Sequence, residues 1–269
     1  MKNYRLIAID MDGTLLNNDL EISPRVINAI QEVRRRGTQV TICTGRMFAS
    51  AKPYADQMGL NVPLITYNGA LVKNSQTEEI LYERSVPLDE ARKVINKCRK
   101  YGFTLNVYIN DELFVDRITP EAERYAERVG VTLNKVDDLE ELLNQGTQGL
   151  NKMLAIGDEE KLNKMRREMV EEGSKLYITR SLHYFLEFLN QEATKGLGLK
   201  AVAETLGIKR EETMAIGDNE NDLEMFKYAG AAVVMGNARD EVKSYADYVT
   251  SSNDDDGVAE AIEKLVLGK

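Results

Sequence analysis

The sequence predicts an α/β protein, a doubly wound parallel sheet interrupted by an inserted α+β domain. Three observations carry this prediction. Short apolar runs alternate with helical stretches from the N-terminus to Val72, the rhythm breaks between about Ser85 and Glu187, and it resumes after Leu189. Alternating strands and helices form parallel sheets covered on both faces, whereas hairpins mixed with helices mark α+β architecture. The expected organisation is a discontinuous core of residues 1–84 and 188–269, with residues 85–187 as the inserted domain.

Each element has a local reason. Arg5-Leu6-Ile7-Ala8-Ile9-Asp10 reads as a buried strand running into an acidic tip. Ser23 is a favoured N-cap and Pro24 suits the first helical position. Val26, Ile27, Ile30 and Val33 recur at helical spacing, and Gly37 closes the helix. Gln39 to Thr44 is a second apolar strand, followed by a helix to about Met58. Pro63 to Tyr67 is expected as a third parallel strand, with Asn68-Gly69 as a hairpin turn before Ala70-Leu71-Val72. In the insertion, helices are expected at Leu88–Tyr101, Pro120–Val129 and Glu159–Glu172. Strands Thr104–Ile109 and Glu112–Val115 flank a second hairpin signal, Asn110-Asp111, and further strands are expected at Lys152–Ile156, Lys175–Thr179 and Tyr184–Leu189. The core then resumes with a helix around Gly196–Leu206, a strand Thr213–Ile216, a helix Glu220–Tyr228, a strand Ala231–Met235 and a last helix to Leu267.

Composition narrows the function. With 269 residues, 43% of them apolar, the chain can build an ordinary core. It has no apolar run of about 18 residues, so no membrane span is expected. The N-terminus runs directly into a short strand rather than a signal segment, and the expected location is cytoplasmic. Cys43 and Cys98 are too few for a disulfide framework or zinc knuckle. A net charge of −9 argues against a nucleic-acid partner. It also repels an anionic substrate at long range unless local positive groups reverse the field.

The strongest chemical signal is Asp10-Met11-Asp12-Gly13-Thr14-Leu15. Residues two apart in extended chain point the same way, so both carboxylates can face one point beyond the strand. That end of a parallel sheet is where ligands bind. Two acids so close need a cation or a shared proton to coexist. Alone, they could be a metal site, a phosphoacceptor or both. Thr44-Gly45-Arg46 ends the second strand with a hydroxyl and backbone N–H groups suited to an anion. Gly217-Asp218-Asn219-Glu220-Asn221-Asp222 ends a later strand and places an acid where it can complete an oxygen-ligated Mg²⁺ site. Lys195-Gly196 opens a helix and offers one fixed ammonium.

These four motifs, in this order, resemble those of the haloacid dehalogenase-like (HAD) phosphohydrolase superfamily, whose core is Rossmann-like. Thr44 and Lys195 lie 195 − 44 = 151 residues apart, far more than the core elements need. An insertion at that place is similar to the C2-capped branch and its Cof-type sugar phosphatases. Tyr67-Asn68-Gly69-Ala70 and Ala215-Ile216-Gly217-Asp218 also resemble that group, members of the YidA sort in particular. The resemblance implies a Mg²⁺-dependent phosphatase of small phosphorylated metabolites, with sugar phosphates expected. Asp10 would be the nucleophile and Asp12 the general acid and base. Mg²⁺ would bind Asp10, Asp218 and the backbone carbonyl of Asp12. Thr44, the Gly45 amide, Lys195, Asn221 and backbone N–H groups near Met11 would hold the phosphoryl oxygens. Asp222 would orient Lys195 or the loop, and Asn68 and Gly69 would support the site. The chain departs from the pattern at Thr194, where Asn is common in relatives.

Two rival functions share these residues. A C2-capped phosphomutase would move phosphate within a hexose and needs a second phosphate site in the cap. A non-catalytic sugar-phosphate sensor would be expected to have lost Asp10 or Asp12, and both are present. Other features read as structural: Arg34-Arg35-Arg36 as a solvated helix end, Asp254-Asp255-Asp256 as capping of the last helix, and Cys43 as packing. His183, the lone histidine, is left open as a substrate contact.

Overall fold

A computed structural model describes residues 4–144 and 148–269, so Met1–Asn3 of the N-terminal reading lie outside it. The first part runs β1 (Leu6–Ile9), α1 (Pro24–Arg35), β2 (Gln39–Ile42), α2 (Phe48–Gln57), β3 (Pro63–Thr66), β4 (Leu71–Asn74) and β5 (Ile80–Glu83). The middle part runs α3 (Leu88–Tyr101), β6 (Thr104–Ile109), β7 (Glu112–Val115), α4 (Pro120–Val129), β8 (Leu133–Lys135), α5 (Leu139–Asn144), β9 (Leu150–Ile156), α6 (Glu159–Glu171), β10 (Leu176–Thr179) and β11 (Phe185–Asn190). The last part runs α7 (Lys195–Thr205), β12 (Thr213–Gly217), α8 (Leu223–Tyr228), β13 (Ala231–Val234), α9 (Asp240–Lys243), β14 (Tyr248–Val249) and α10 (Gly257–Ile262).

The chain divides into two compact units. The first comprises residues 4–45, 51–82 and 194–269 among those described, and the second residues 46–50 and 83–193. The first unit contains a five-stranded sheet in the order β14-β13-β12-β1-β2, parallel throughout. Its central strands are buried along their whole length, as expected where helices cover both faces. Helix α1 forms where the Ser23 hydroxyl accepts from the Val26 N–H and Pro24 sets the first turn, and it buries Val26, Ala29, Ile30 and Val33. Leu6, Ala8, Cys43, Leu199, Val202, Ala215 and Met225 belong to one apolar cluster of this unit.

The third strand departs from the expectation. β3 meets β2 through an isolated parallel bridge from Cys43 to Ile65 and a bond from the Thr41 hydroxyl to the Pro63 carbonyl, and pairs antiparallel with β4 in a separate three-stranded sheet. Asn68-Gly69 does turn this hairpin, but as part of a wider loop in which Tyr67, Asn68 and Gly69 all have positive φ. The acids after Ser252 are a second difference. No side chain caps α10; instead Asp254 accepts from the Asn18 N–H and Asp256 takes the Ser23 hydroxyl. Arg34 is more than a solvated end, since it donates to the carbonyls of Met58 and Gly59.

The second unit is α+β. Its six-stranded sheet has the order β10-β11-β9-β6-β7-β8, antiparallel except for the β7–β8 pair. Asn110 and Asp111, both at positive φ, make the tight β6–β7 turn that their types favour. One face carries Leu105, Val107, Met153, Ala155, Leu186 and Phe188, packed with residues of α3 and α6 such as Val94, Ile95, Leu162 and Met165.

Candidate active site

The site follows from strand register. Ile9 pairs with Ile216 on one side and Ile42 on the other, so the residues after all three strands emerge together. The ladder carries on one step, with the Asp10 N–H donating to Ile216 and the Cys43 N–H to Ile9. Asp10, Asp218 and Thr44 therefore cluster at the carboxyl ends of β1, β12 and β2. Asp10 and Thr44 are buried, and so are Asn221 and Asp222.

Lys195, the first residue of α7, is fully buried and its ammonium joins the cluster. It donates to Asp10 Oδ1 at 2.5 Å and to Asp222 Oδ1 at 2.6 Å. The other oxygen of Asp222 accepts the N–H groups of Asp218 and Asn219, both at 2.9 Å. Thr194, the departure from the usual Asn, caps α7 by accepting from the Leu197 N–H, so the lysine's helix is properly begun. Asn221 donates to Asn68 Oδ1 at 2.9 Å. Gly69 has no room for a side chain, because a Cβ there would lie 2.1 Å from the Thr194 carbonyl oxygen.

The loop after β1 is equally tight. Gly13 has φ +83°, and a Cβ on it would sit 2.6 Å from Asp218 Oδ2. Thr14, quoted in the motif but given no role by sequence, donates its hydroxyl to Asp218 Oδ1 at 2.9 Å. Asn237 was also missed. It donates to the Gly13 carbonyl from the loop after β13, and the rule that sites gather at strand carboxyl ends is the signal that points there. The carbonyl of buried Met11 is bonded to Thr14 and Leu16, while its N–H has no acceptor among the described residues.

The charges do not balance among these side chains. Ligand oxygens of Asp10, Asp218 and Asp222 lie within 4.8 Å of one another. Three carboxylates around one ammonium leave −3 + 1 = −2 in a buried place. The protein alone relieves this by holding protons. Burial raises the Asp10 carboxyl well above its usual value, with Asp222 and Asp218 adding to the effect against the pull of Lys195. Burial likewise pushes Asp218 up to about 7, with Asp222 adding. Burial works against the Lys195 ammonium, but Asp10 and Asp222 outweigh it and keep it protonated. A divalent cation meets the same need. Asp10 and Asp218 also share a hydrogen bond between their carboxyls, a contact that a divalent cation bound between these hard oxygen ligands would replace. The Asp12 carboxylate, half buried, is not one of the three.

Comparison with known proteins identifies the arrangement. The family model for haloacid dehalogenase-like hydrolases matches residues 7–262. The chain belongs to that family. It is 34% identical over 275 residues to YxeH of Bacillus subtilis, provisionally named a phosphatase, covering 99% of this chain and all of the relative. It is 32% identical to the 5-amino-6-(5-phospho-D-ribitylamino)uracil phosphatase YitU of the same organism, covering 96% of each. A solved HAD subclass IIB sugar phosphatase superposes with a TM-score of 0.86 at 26% identity, covering 97% of this chain and 98% of the other. This HAD-like hydrolase is thus a phosphatase, with a Rossmann-like α/β core and an inserted cap.

Proposed function

We propose that the enzyme hydrolyses phosphate monoesters of small polyol or sugar metabolites through an aspartyl-phosphate on Asp10, with Mg²⁺ as its cation. One observation carries the reading: a buried carboxylate, Asp10, is held by Lys195 within a cluster of three acids, beside a Met11 N–H with no acceptor among the described residues. The substrate class draws on the relatives. One is named for a phosphoribityl compound and another is titled a sugar phosphatase, so both carry phosphate on a polyhydroxylated carbon chain.

One carboxylate oxygen of Asp10 attacks phosphorus while the ester P–O bond breaks, its electron pair leaving on the alkoxide. Asp12, outside the carboxylate cluster, gives that oxygen its proton. Water then attacks phosphorus, returns a proton to Asp12, and the bond to Asp10 breaks to release phosphate. Splitting the reaction in this way lowers a barrier that is among the highest in uncatalysed chemistry. Lys195, Asn221, the Thr44 hydroxyl and the N–H groups of Met11 and Gly45 hold the phosphoryl oxygens as negative charge develops. Asp222 holds the ammonium in place through Oδ1 and the loop through Oδ2. Asp10, Asp218 and the Asp12 carbonyl would hold Mg²⁺, which supplies charge neutralisation where the protein is short by two.

The test is phosphate release from a panel of sugar, polyol, nucleoside and aryl phosphates, before and after dialysis against a chelator. We expect release that requires Mg²⁺ and a higher kcat/KM for the polyol esters. Undiminished release without divalent cation would contradict the metal assignment. Conversion of a hexose 1-phosphate to its 6-phosphate without release would contradict hydrolysis.

A further inference from the structure

The second unit contains a cavity of about 810 Å³ whose lining residues all belong to that unit. Small-molecule sites typically occupy roughly 300–1,000 Å³. Its walls are aromatic. Tyr101 and Phe103 stack with centroids 5.4 Å apart and planes 6° from parallel. Phe185 meets Tyr125 edge-on at 5.6 Å and Tyr184 edge-on at 4.5 Å. Phe103, Tyr125 and Phe185 are buried behind part-exposed Tyr101 and Tyr184, and such an aromatic wall suits a flat π system packed against it.

The charged rim selects the sign of the ligand. Helix α4 contributes Glu121, Arg124 and Arg128, and α6 with its cap contributes Asp158 and Lys161. Both acids are engaged: Glu121 pairs with Arg124 at 3.2 Å, and Asp158 accepts the Lys161 N–H as the N-cap of α6. Arg128 and the Lys161 ammonium have no hydrogen-bond or ion-pair partner among the described residues. Two unengaged cations therefore reach one aromatic cavity from two different helices, in a protein whose net charge is −9. A solvated helix face would neither converge on a cavity nor spare the acids of its own rim.

We infer that this cavity is a second ligand site, which takes a planar aromatic anion against its aromatic wall with the acidic group on Arg128 and Lys161. The site needs nothing from the carboxylate cluster and stands apart from the proposed reaction.

The test is fluorescence titration with 1-pyrenesulfonate, a flat aromatic anion with no phosphate ester to hydrolyse, alongside neutral 1-pyrenemethanol. We expect saturable binding of one sulfonate per chain. Charge-assisted hydrogen bonds are worth enough that removing both cations in the Arg128→Ala/Lys161→Ala variant weakens it by about tenfold or more. The neutral analogue should bind the parent protein correspondingly worse. Asp10→Asn should bind the sulfonate as the parent does. Both substitutions fall on exposed side chains, and an unchanged circular dichroism melt separates lost binding from lost fold. Non-saturable binding, equal binding by the double variant, or loss of binding in Asp10→Asn would each overturn the inference.

Discussion

Two lysines of this protein are buried to the same degree and serve opposite ends. Lys195 in the core is 0% exposed and donates to two carboxylates at 2.5 and 2.6 Å. Lys152, on β9 of the cap, is 2% exposed, with Glu187 at 3.7 Å and the Tyr108 ring centroid at 4.9 Å. Lys152 faces the Glu187 carboxylate, and Ser181 donates to the second Glu187 oxygen at 2.6 Å. Around Lys195 acids outnumber the base three to one, and the surplus is what a divalent cation and a phosphoryl group can use. Burial of a cation is therefore no marker of an active site; the local excess of the opposite charge is.

The comparison can be broken at several places. Asp10→Asn removes the nucleophile while keeping the shape, and kcat should fall by about 10⁴-fold or more, measured as phosphate release. Lys195→Met should cost about 10²–10³-fold in kcat/KM, since it removes a preorganised donor from the developing charge. It should also destabilise the metal-free protein at pH 8 by about 3–5 kcal/mol in denaturant unfolding, because Asp10 and Asp222 lose their counter-ion. Lys152→Met removes the cation facing Glu187, but Lys152→Met/Glu187→Leu should restore most of the stability, because a buried ion pair can give way to apolar packing at little cost. A double variant as unstable as Lys152→Met alone would show that the pair does more than balance itself.

Metal binding should sense the same excess. The Asp218 carboxyl is raised to about 7, so protons compete with the cation below that pH. Apparent Mg²⁺ affinity, by calorimetry, should be about tenfold weaker at pH 6 than at pH 8. Stability follows the matching sign. A raised carboxyl favours the folded state at low pH, and that contribution is lost as pH rises from about 4 towards 7. Mg²⁺ should therefore raise the melting temperature more at pH 8 than at pH 6. The smallest effect expected is from Thr14→Val, which removes one hydrogen bond from Asp218 and should weaken Mg²⁺ binding by about tenfold or less.

Much of this was legible in residues alone, for physical reasons. Leu6–Ile9 and Thr213–Gly217 are uninterrupted apolar strands whose acids come immediately after, and a parallel sheet puts such tips side by side. Thr119-Pro120 and Gly130 bracket α4 through local capping chemistry, so its limits could be read without tertiary knowledge. β3 and its hairpin turn were legible, but its separation from the five-stranded sheet was not, because four buried residues suit a parallel or an antiparallel neighbour equally. The short strands β8 and β14 lack any periodic signal and exist through pairing with β7 and β13. Thr14 and Asn237 were overlooked as partners because their bonds span 204 and 224 residues. The cap cavity left no trace in sequence, since its rings and cations come from four separate stretches of chain.

The central claim is that Asp10 carries the phosphoryl group between two displacements. Its most direct test is the stereochemical course at phosphorus, using a phosphorothioate ester made chiral with oxygen isotopes and hydrolysed in water carrying the remaining isotope, so that the released thiophosphate is itself chiral. Two in-line displacements predict overall retention of configuration in the transferred group. Inversion would mean that water attacks the ester in a single step, and would contradict the account.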